Sequence, residues 1–200
     1  MKHVLGITGG IGSGKSVISA LLRIADVPVY DSDSRAKDLQ TSDQDLRRQL
    51  IEVLGAECYL ADGQLNKTFI ANKIFNDKQL LSAINNIVHP AVWKDFEQWA
   101  AQQADKGHQI VGFESAILFQ SHLNERFDYI WTVEAPTDVC IERACKRDNK
   151  QRELIEARIK NQQPVNGLGD TSINNDGRHS LIEQVMDGIA KLRLQAQLDL

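Results

Sequence analysis

The chain has 200 residues, long enough to bury a sizeable core within one α/β domain carrying an insertion. Its 23 basic and 27 acidic residues leave a net charge of −4, so no global positive field holds DNA or RNA, and an anionic ligand must be met by local positive charge. Cys58, Cys140 and Cys145 are odd in number and lie at no metal-ligand spacing, the usage of a reducing compartment.

The first element is an apolar strand at Val4-Leu5-Gly6-Ile7-Thr8, with no charged and apolar leader before it; no apolar run approaches membrane-spanning length. A cytoplasmic chain with no nucleic-acid or membrane partner and no obligate protein partner is the expectation. Directly after the strand, residues 9–16 read Gly9-Gly10-Ile11-Gly12-Ser13-Gly14-Lys15-Ser16, a complete G-x-x-x-x-G-K-[ST] phosphate-binding loop. Gly-rich backbone folds tightly enough to aim successive N–H groups at phosphate oxygens, and the following helix adds its own unpaired amides. That pattern predicts ATP-type triphosphate binding by Gly10, Ile11, Gly12, Ser13, Gly14, Lys15 and Ser16. Lys15 is the mobile charge on the outer phosphates, and the Ser16 hydroxyl the protein ligand of Mg²⁺. Val17, Ile18, Leu21 and Leu22 then recur at helical spacing.

A second strand, Val27-Pro28-Val29-Tyr30, closes on Asp31-Ser32-Asp33-Ser34, which carries paired carboxylates to a strand end. Such a pair can divide the labour of receiving an acceptor's proton and orienting it; the same residues also suit helix capping. Residues 35–107 carry helical patterning, which predicts a helical insertion between strands two and three, with a turn at Asp62-Gly63 and a helix break at His89-Pro90. Trp93 and Trp99 within it are expected to pack.

The strand signal returns at residues 109–114 and ends on Glu114, placed as an acid of a Mg²⁺ shell is, though a solvated strand-end acid has the same signature. A fourth strand covers Tyr129 to Val133 and a helix starts near Thr137. Between Arg143 and Lys160, seven basic residues face three acidic ones, a local excess of +4. Arg143 and Arg147 share a helix face there, which predicts a cationic lid over transferring phosphates; i,i+4 pairs such as Glu156 with Lys160 are the competing use of those charges. A last strand at Ser172-Ile173-Asn174 and a closing helix from Leu181 to Leu198 complete the chain. His3, His89, His108, His122 and His179 form no cluster.

Strands alternating with helices around a phosphate loop predict a P-loop kinase-like, doubly wound, mostly parallel sheet with ligands beyond the strand carboxyl ends. Its nucleotide-binding core is expected at residues 1–34, 108–142 and 161–200, with a lid at 143–160.

These residues resemble the dephospho-CoA kinase family. The likeness runs in order through the phosphate loop, Asp31-x-Asp33, His89-Pro90, Ala116-Ile117-Leu118-Phe119, Arg143 with Arg147-Asp148, the Gln162-Gln163 region and Ile173-x-Asn175-x-Gly177. It implies ATP-dependent phosphorylation of the ribose 3′-hydroxyl of dephospho-CoA, the last step of coenzyme A synthesis. It also implies Asp33 as general base, Arg143 and Arg147 as lid arginines, an acceptor-binding role for the helical insertion, and Asp31, Asp33 and His89 on the acceptor side. Asn175 sits in a candidate adenine-contacting turn, and related kinases place strand three between strands one and two. One departure stands out: where the family often ends a D-x-P-L-L-F-E run in Glu, this chain has Gln120, which argues against a catalytic role there.

Two other functions fit parts of the pattern. Another small-molecule or nucleotide kinase would share core and lid, and a catalytically silent ATP-binding regulator would be expected to lack Lys15, Ser16 or Asp33, all of which are present. A GTPase reading fails because Asn72-Lys73-Ile74-Phe75 and Asn149-Lys150-Gln151-Arg152 lack the aspartate that reads guanine.

Overall fold

The computed structural model describes residues 3–75, 77–121 and 123–198, so His122 lies outside the described residues. In chain order the main elements are β1 (His3–Gly9), α1 (Lys15–Ile24), β2 (Val29–Asp31), α2 (Ser32–Ser42), α3 (Gln44–Leu54), α4 (Lys67–Ile74) and α5 (Lys78–Asp105). After these come β3 (Ile110–Glu114), β4 (Tyr129–Glu134), α6 (Thr137–Asp148), α7 (Arg152–Lys160), β5 (Thr171–Asn174) and α8 (Leu181–Leu198). They fold as two compact units, one made of Met1–Asp31 with Gln102–Leu200 and the other of Ser32–Ala101.

The first unit is a five-stranded sheet in the order β2-β3-β1-β4-β5, with every pairing parallel. The third strand thus lies between the first two, as the family resemblance implies. Strands covered on both faces need continuous apolar runs, and β1 and β3 supply them. Leu5, Ile7 and Val111 are fully buried, and Phe113 nearly so. On one face Ile18 and Leu22 of α1 and Val185, Ile189 and Leu192 of α8 pack with Leu5, Ile7 and Trp131 into the main core. Parallel strands send their carboxyl ends to one edge, and the phosphate loop, Asp31 and Glu114 all leave strands there.

The second unit is helical apart from the Tyr59 to Leu65 turn. There the Leu60 N–H donates to Gln64 O (2.8 Å) around the predicted Asp62-Gly63 corner. The Asp43 carboxylate caps α3 by accepting from the Asp45 and Leu46 amides (2.9 and 3.0 Å). Arg35 forks onto Asp95 with bonds of 3.0 and 2.7 Å, tying α2 to α5. Trp93 and Trp99 lie against Phe96, with ring centroids 5.1 and 6.0 Å from it.

The break predicted at His89-Pro90 does not occur: α5 runs unbroken through Pro90. Proline removes one backbone donor, whose acceptor would have been the carbonyl four residues earlier, on Asn86. Both Pro90 and Asn86 are exposed, so the orphaned carbonyl is on the watered side of the helix. Val88, Val92, Phe96 and Ala100 bury the opposite face and hold the helix together.

Candidate functional site

The phosphate loop bridges the end of β1 and the start of α1, and its glycines are required by contact as well as by conformation. Gly12 has φ 76° and Gly14 φ 99°, both left-handed. A Cβ at Gly12 would overlap the Cys140 carbonyl, and one at Gly14 would overlap the Asn175 side-chain nitrogen. The Ser13 N–H closes a turn on Gly10 O (3.2 Å), and the Lys15 ammonium donates to the carbonyls of Gly9 (2.9 Å) and Gly10 (3.3 Å). Ser16 is exposed in the first turn of α1, where N–H groups and the helix dipole favour anions.

Distant parts of the chain brace this loop. Asn175, buried after β5, donates its side-chain amide to Ser13 O (2.7 Å), and its backbone N–H donates to Glu134 O (2.7 Å). Arg143 of α6 completes the brace by donating to both Asn175 oxygens (3.2 and 3.3 Å). From the other side, Gln162 Oε1 accepts from the Ile11 N–H at 2.9 Å. The Ile11 side chain packs on a small apolar cluster of Ile141, Ala144 and Ile155. Neither Gln162 nor the Ile11 side chain carried a role in the sequence reading. The Gln-Gln pair stands in a recognised stretch, but no local pattern pairs it with a loop 151 residues away.

Beside the turn that holds Asn175, the Asp176 carboxyl is pulled down to about 2, chiefly by bonds from the Arg178 and His179 amides. At the edge of the sheet, Asp31 and Glu114 are register partners on neighbouring parallel strands, and Glu114 is in turn the partner of Ile7 in β1. Two acids therefore end adjacent strands whose backbones are ~4.8 Å apart. Asp33 follows in the first turn of α2. His89 is half-buried in α5, where desolvation lowers its pKa and favours the neutral imidazole at pH 7.

The basic segment 143–160 spans the end of α6 and all of α7, and much of its charge is paired with acids within it or, for Arg152, also with Asp138 earlier in α6. Arg147 forks onto Asp148 (2.7 and 3.2 Å), Arg158 joins the same carboxylate (3.1 Å), and Arg152 reaches Glu156 and Asp138 (2.6 Å each). These pairs are exposed, so each contributes little to stability and can exchange partners. Leu118, inside the Ala116 to Phe119 stretch, is fully buried, whereas Gln120 is exposed. The cysteines are free thiols, and burial raises the pKa of Cys58 and Cys140. Among the described residues no helix is long and apolar enough to cross a membrane.

The family model for dephospho-CoA kinase matches residues 3–180. A dephospho-CoA kinase of Bacteroides fragilis is 40% identical over 195 residues, which cover 96% of this chain and 94% of that one. A solved structure from Thermus thermophilus superposes with a TM-score of 0.79 at 27% identity, covering 95% of this chain and 97% of that one. The solved dephospho-CoA kinase of Campylobacter jejuni has a TM-score of 0.59 at 16% identity over 95% and 97% of the two chains, a likeness of fold. With a family model spanning most of its length and a relative this similar from end to end, the chain belongs to the dephospho-CoA kinase family.

Proposed function

We propose that the chain transfers the γ-phosphoryl group of ATP to the ribose 3′-hydroxyl of dephospho-CoA, releasing coenzyme A and ADP, in the cytoplasm. The observation that carries the ATP half is the loop of residues 9–16, whose left-handed glycines leave room for nothing larger and whose Lys15 ammonium lies against its own loop. Family membership carries the acceptor.

In this reading the loop amides beyond Ile11, whose own N–H donates to Gln162, cradle the phosphates with those that open α1, and Lys15 follows the charge that develops on the transferring group. Arg143, held by Asn175, and Arg147, exchanging Asp148 for phosphate, supply further positive charge from the lid. Asn175 shapes the nucleotide side through the Ser13 carbonyl. The helical segment 35–107 receives the acceptor, with His89 and Asp31 as contacts. The Asp33 carboxylate takes the proton of the 3′-hydroxyl as its oxygen attacks the γ-phosphorus. The bond to the β,γ-bridging oxygen breaks, and ADP leaves with that electron pair.

Mg²⁺ keeps most of its water and is bound through one or two protein oxygens plus phosphates. The exposed Ser16 hydroxyl and the Glu114 carboxylate have that donor chemistry. When bound, the ion neutralises phosphate charge.

A mass-resolved assay offering dephospho-CoA beside AMP, dTMP and shikimate with Mg-ATP tests the proposal. The expected product is coenzyme A, one per ADP formed. Phosphorylation of another acceptor with no coenzyme A would overturn it.

A further inference from the structure

Ile11 stands between two glycines of the phosphate loop and is held twice by the α6–α7 region. Its N–H carries a single proton, and that proton goes to Gln162 Oε1, two residues beyond the end of α7. Its side chain packs against Ile141 and Ala144 of α6 and Ile155 of α7, with Ile159 at the margin. Phosphate oxygens must therefore be met by amides further along the loop. Gln162 is itself tied to the end of α7, since its N–H donates to Ile159 O (3.0 Å).

The surroundings of this contact are open. A cavity of about 330 Å³ is bordered by Gly10, Ile11, Ile159 and Gln162, among others. Loop and helix pair thus meet here beside open space. Ile11 is joined to the helix pair by both its N–H and its side chain, so the setting of its peptide and the placement of α7 share these contacts.

We propose that Ile11 and Gln162 form a latch that couples the shape of the phosphate loop to the position of α7, making Gln162 a positioning residue for ATP. The coupling is reciprocal: a nucleotide that orders the loop draws α7 into place, and an ordered α7 presents a loop ready for phosphate. Because α7 begins at Arg152 and carries Arg158, the latch brings the lid's charge under the control of the occupied loop. The proposal rests on the kinase reading only in taking ATP as the ligand.

The test uses Gln162→Met, which keeps chain length and removes the acceptor, and Gln162→Glu, which restores it. Gln162 is half-buried, so neither change empties the core. One hydrogen bond of ordinary strength corresponds to roughly a fivefold effect. NMR-detected hydrogen exchange of the Ile11 amide should therefore accelerate about fivefold in Gln162→Met and return toward the native rate in Gln162→Glu. The Kd for β,γ-imido-ATP with Mg²⁺ should rise by about the same factor in Gln162→Met. The protection that the analogue confers on the Ile155 and Ile159 amides of the native protein should be lost. In turnover KM for ATP should rise while KM for dephospho-CoA does not follow. Unchanged Ile11 exchange in Gln162→Met, or equal rises in both KM values, overturns the latch. Exchange and analogue binding are measured without acceptor, so a wrong acceptor assignment shows only in the product assay.

Discussion

Asp31 ends β2 and Asp33 lies in the first turn of α2, which starts at Ser32, so one short stretch of chain carries two carboxylates with different backbone settings. Asp31 is held in register beside Glu114, while Asp33 belongs to a helix start, where a carboxylate is stabilised by nearby amides. If Asp33 receives the acceptor proton, Asp33→Asn removes the base and leaves nucleotide contacts in place. Turnover should fall by about 10²- to 10⁴-fold, with Kd for ATP changed little. Steady-state kinetics with a parallel binding titration check this; normal turnover at saturation with collapsed ATP binding would remove Asp33 from that role. At this scale the sequence was most informative where function demands a residue type. Gly12 and Gly14 are legible as glycines because the phosphate loop requires them, although the atoms that exclude a Cβ, on Cys140 and Asn175, are not. Gln162 is the opposite case, a residue whose letter is visible and whose partner is not.

Among the elements, α5 shows how burial overrides a local signal. A proline in a helix interior costs ~3 kcal/mol relative to alanine, which makes His89-Pro90 a reasonable place to predict a break. The apolar series Val88, Val92, Phe96 and Ala100 extends across that point and is buried, and the proline stands on the exposed face. Pro90→Ala should therefore restore a backbone bond and stabilise the protein by about 1–2 kcal/mol, after subtracting the entropy proline removes from the unfolded chain. Urea denaturation reads the change, and a lower midpoint would mean that the proline ring is itself needed for packing. The basic segment teaches a related lesson. Its +4 excess is plain in sequence, but the pairing of Arg147, Arg152 and Arg158 with Asp148, Asp138 and Glu156 depends on how α6 and α7 meet. One of those acids, Asp138, lies outside the segment altogether.

For the whole molecule, the proposed ATP site belongs to the sheet unit, which contains the loop and its braces, whereas Ser32–Ala101 is a separately compact helical unit. A ligand that binds only the folded state adds RT ln(1 + [L]/Kd), or about 2.7 kcal/mol at a hundredfold excess over Kd. Trp131 is buried in the sheet unit's core, while Trp93 and Trp99 belong to the helical unit. In a Trp93→Phe, Trp99→Phe protein, Mg²⁺ with β,γ-imido-ATP should raise the thermal midpoint reported by Trp131 fluorescence. No shift at saturating analogue would contradict nucleotide binding by the loop.

The sequence by itself determined the loop, the alternation of strands and helices, the acids at strand ends, the local excess of positive charge and, through resemblance, the family. Each of these is written in a short window or in a run of such windows kept in order, because backbone conformation, periodicity and charge density are local properties. Tertiary structure alone decided which groups hold the loop in shape: Asn175 on Ser13 across 162 residues, and Gln162 on Ile11 across 151. A hydrogen bond needs its donor and acceptor within about 3 Å and aligned, and for residues that far apart only the completed fold sets distance and direction.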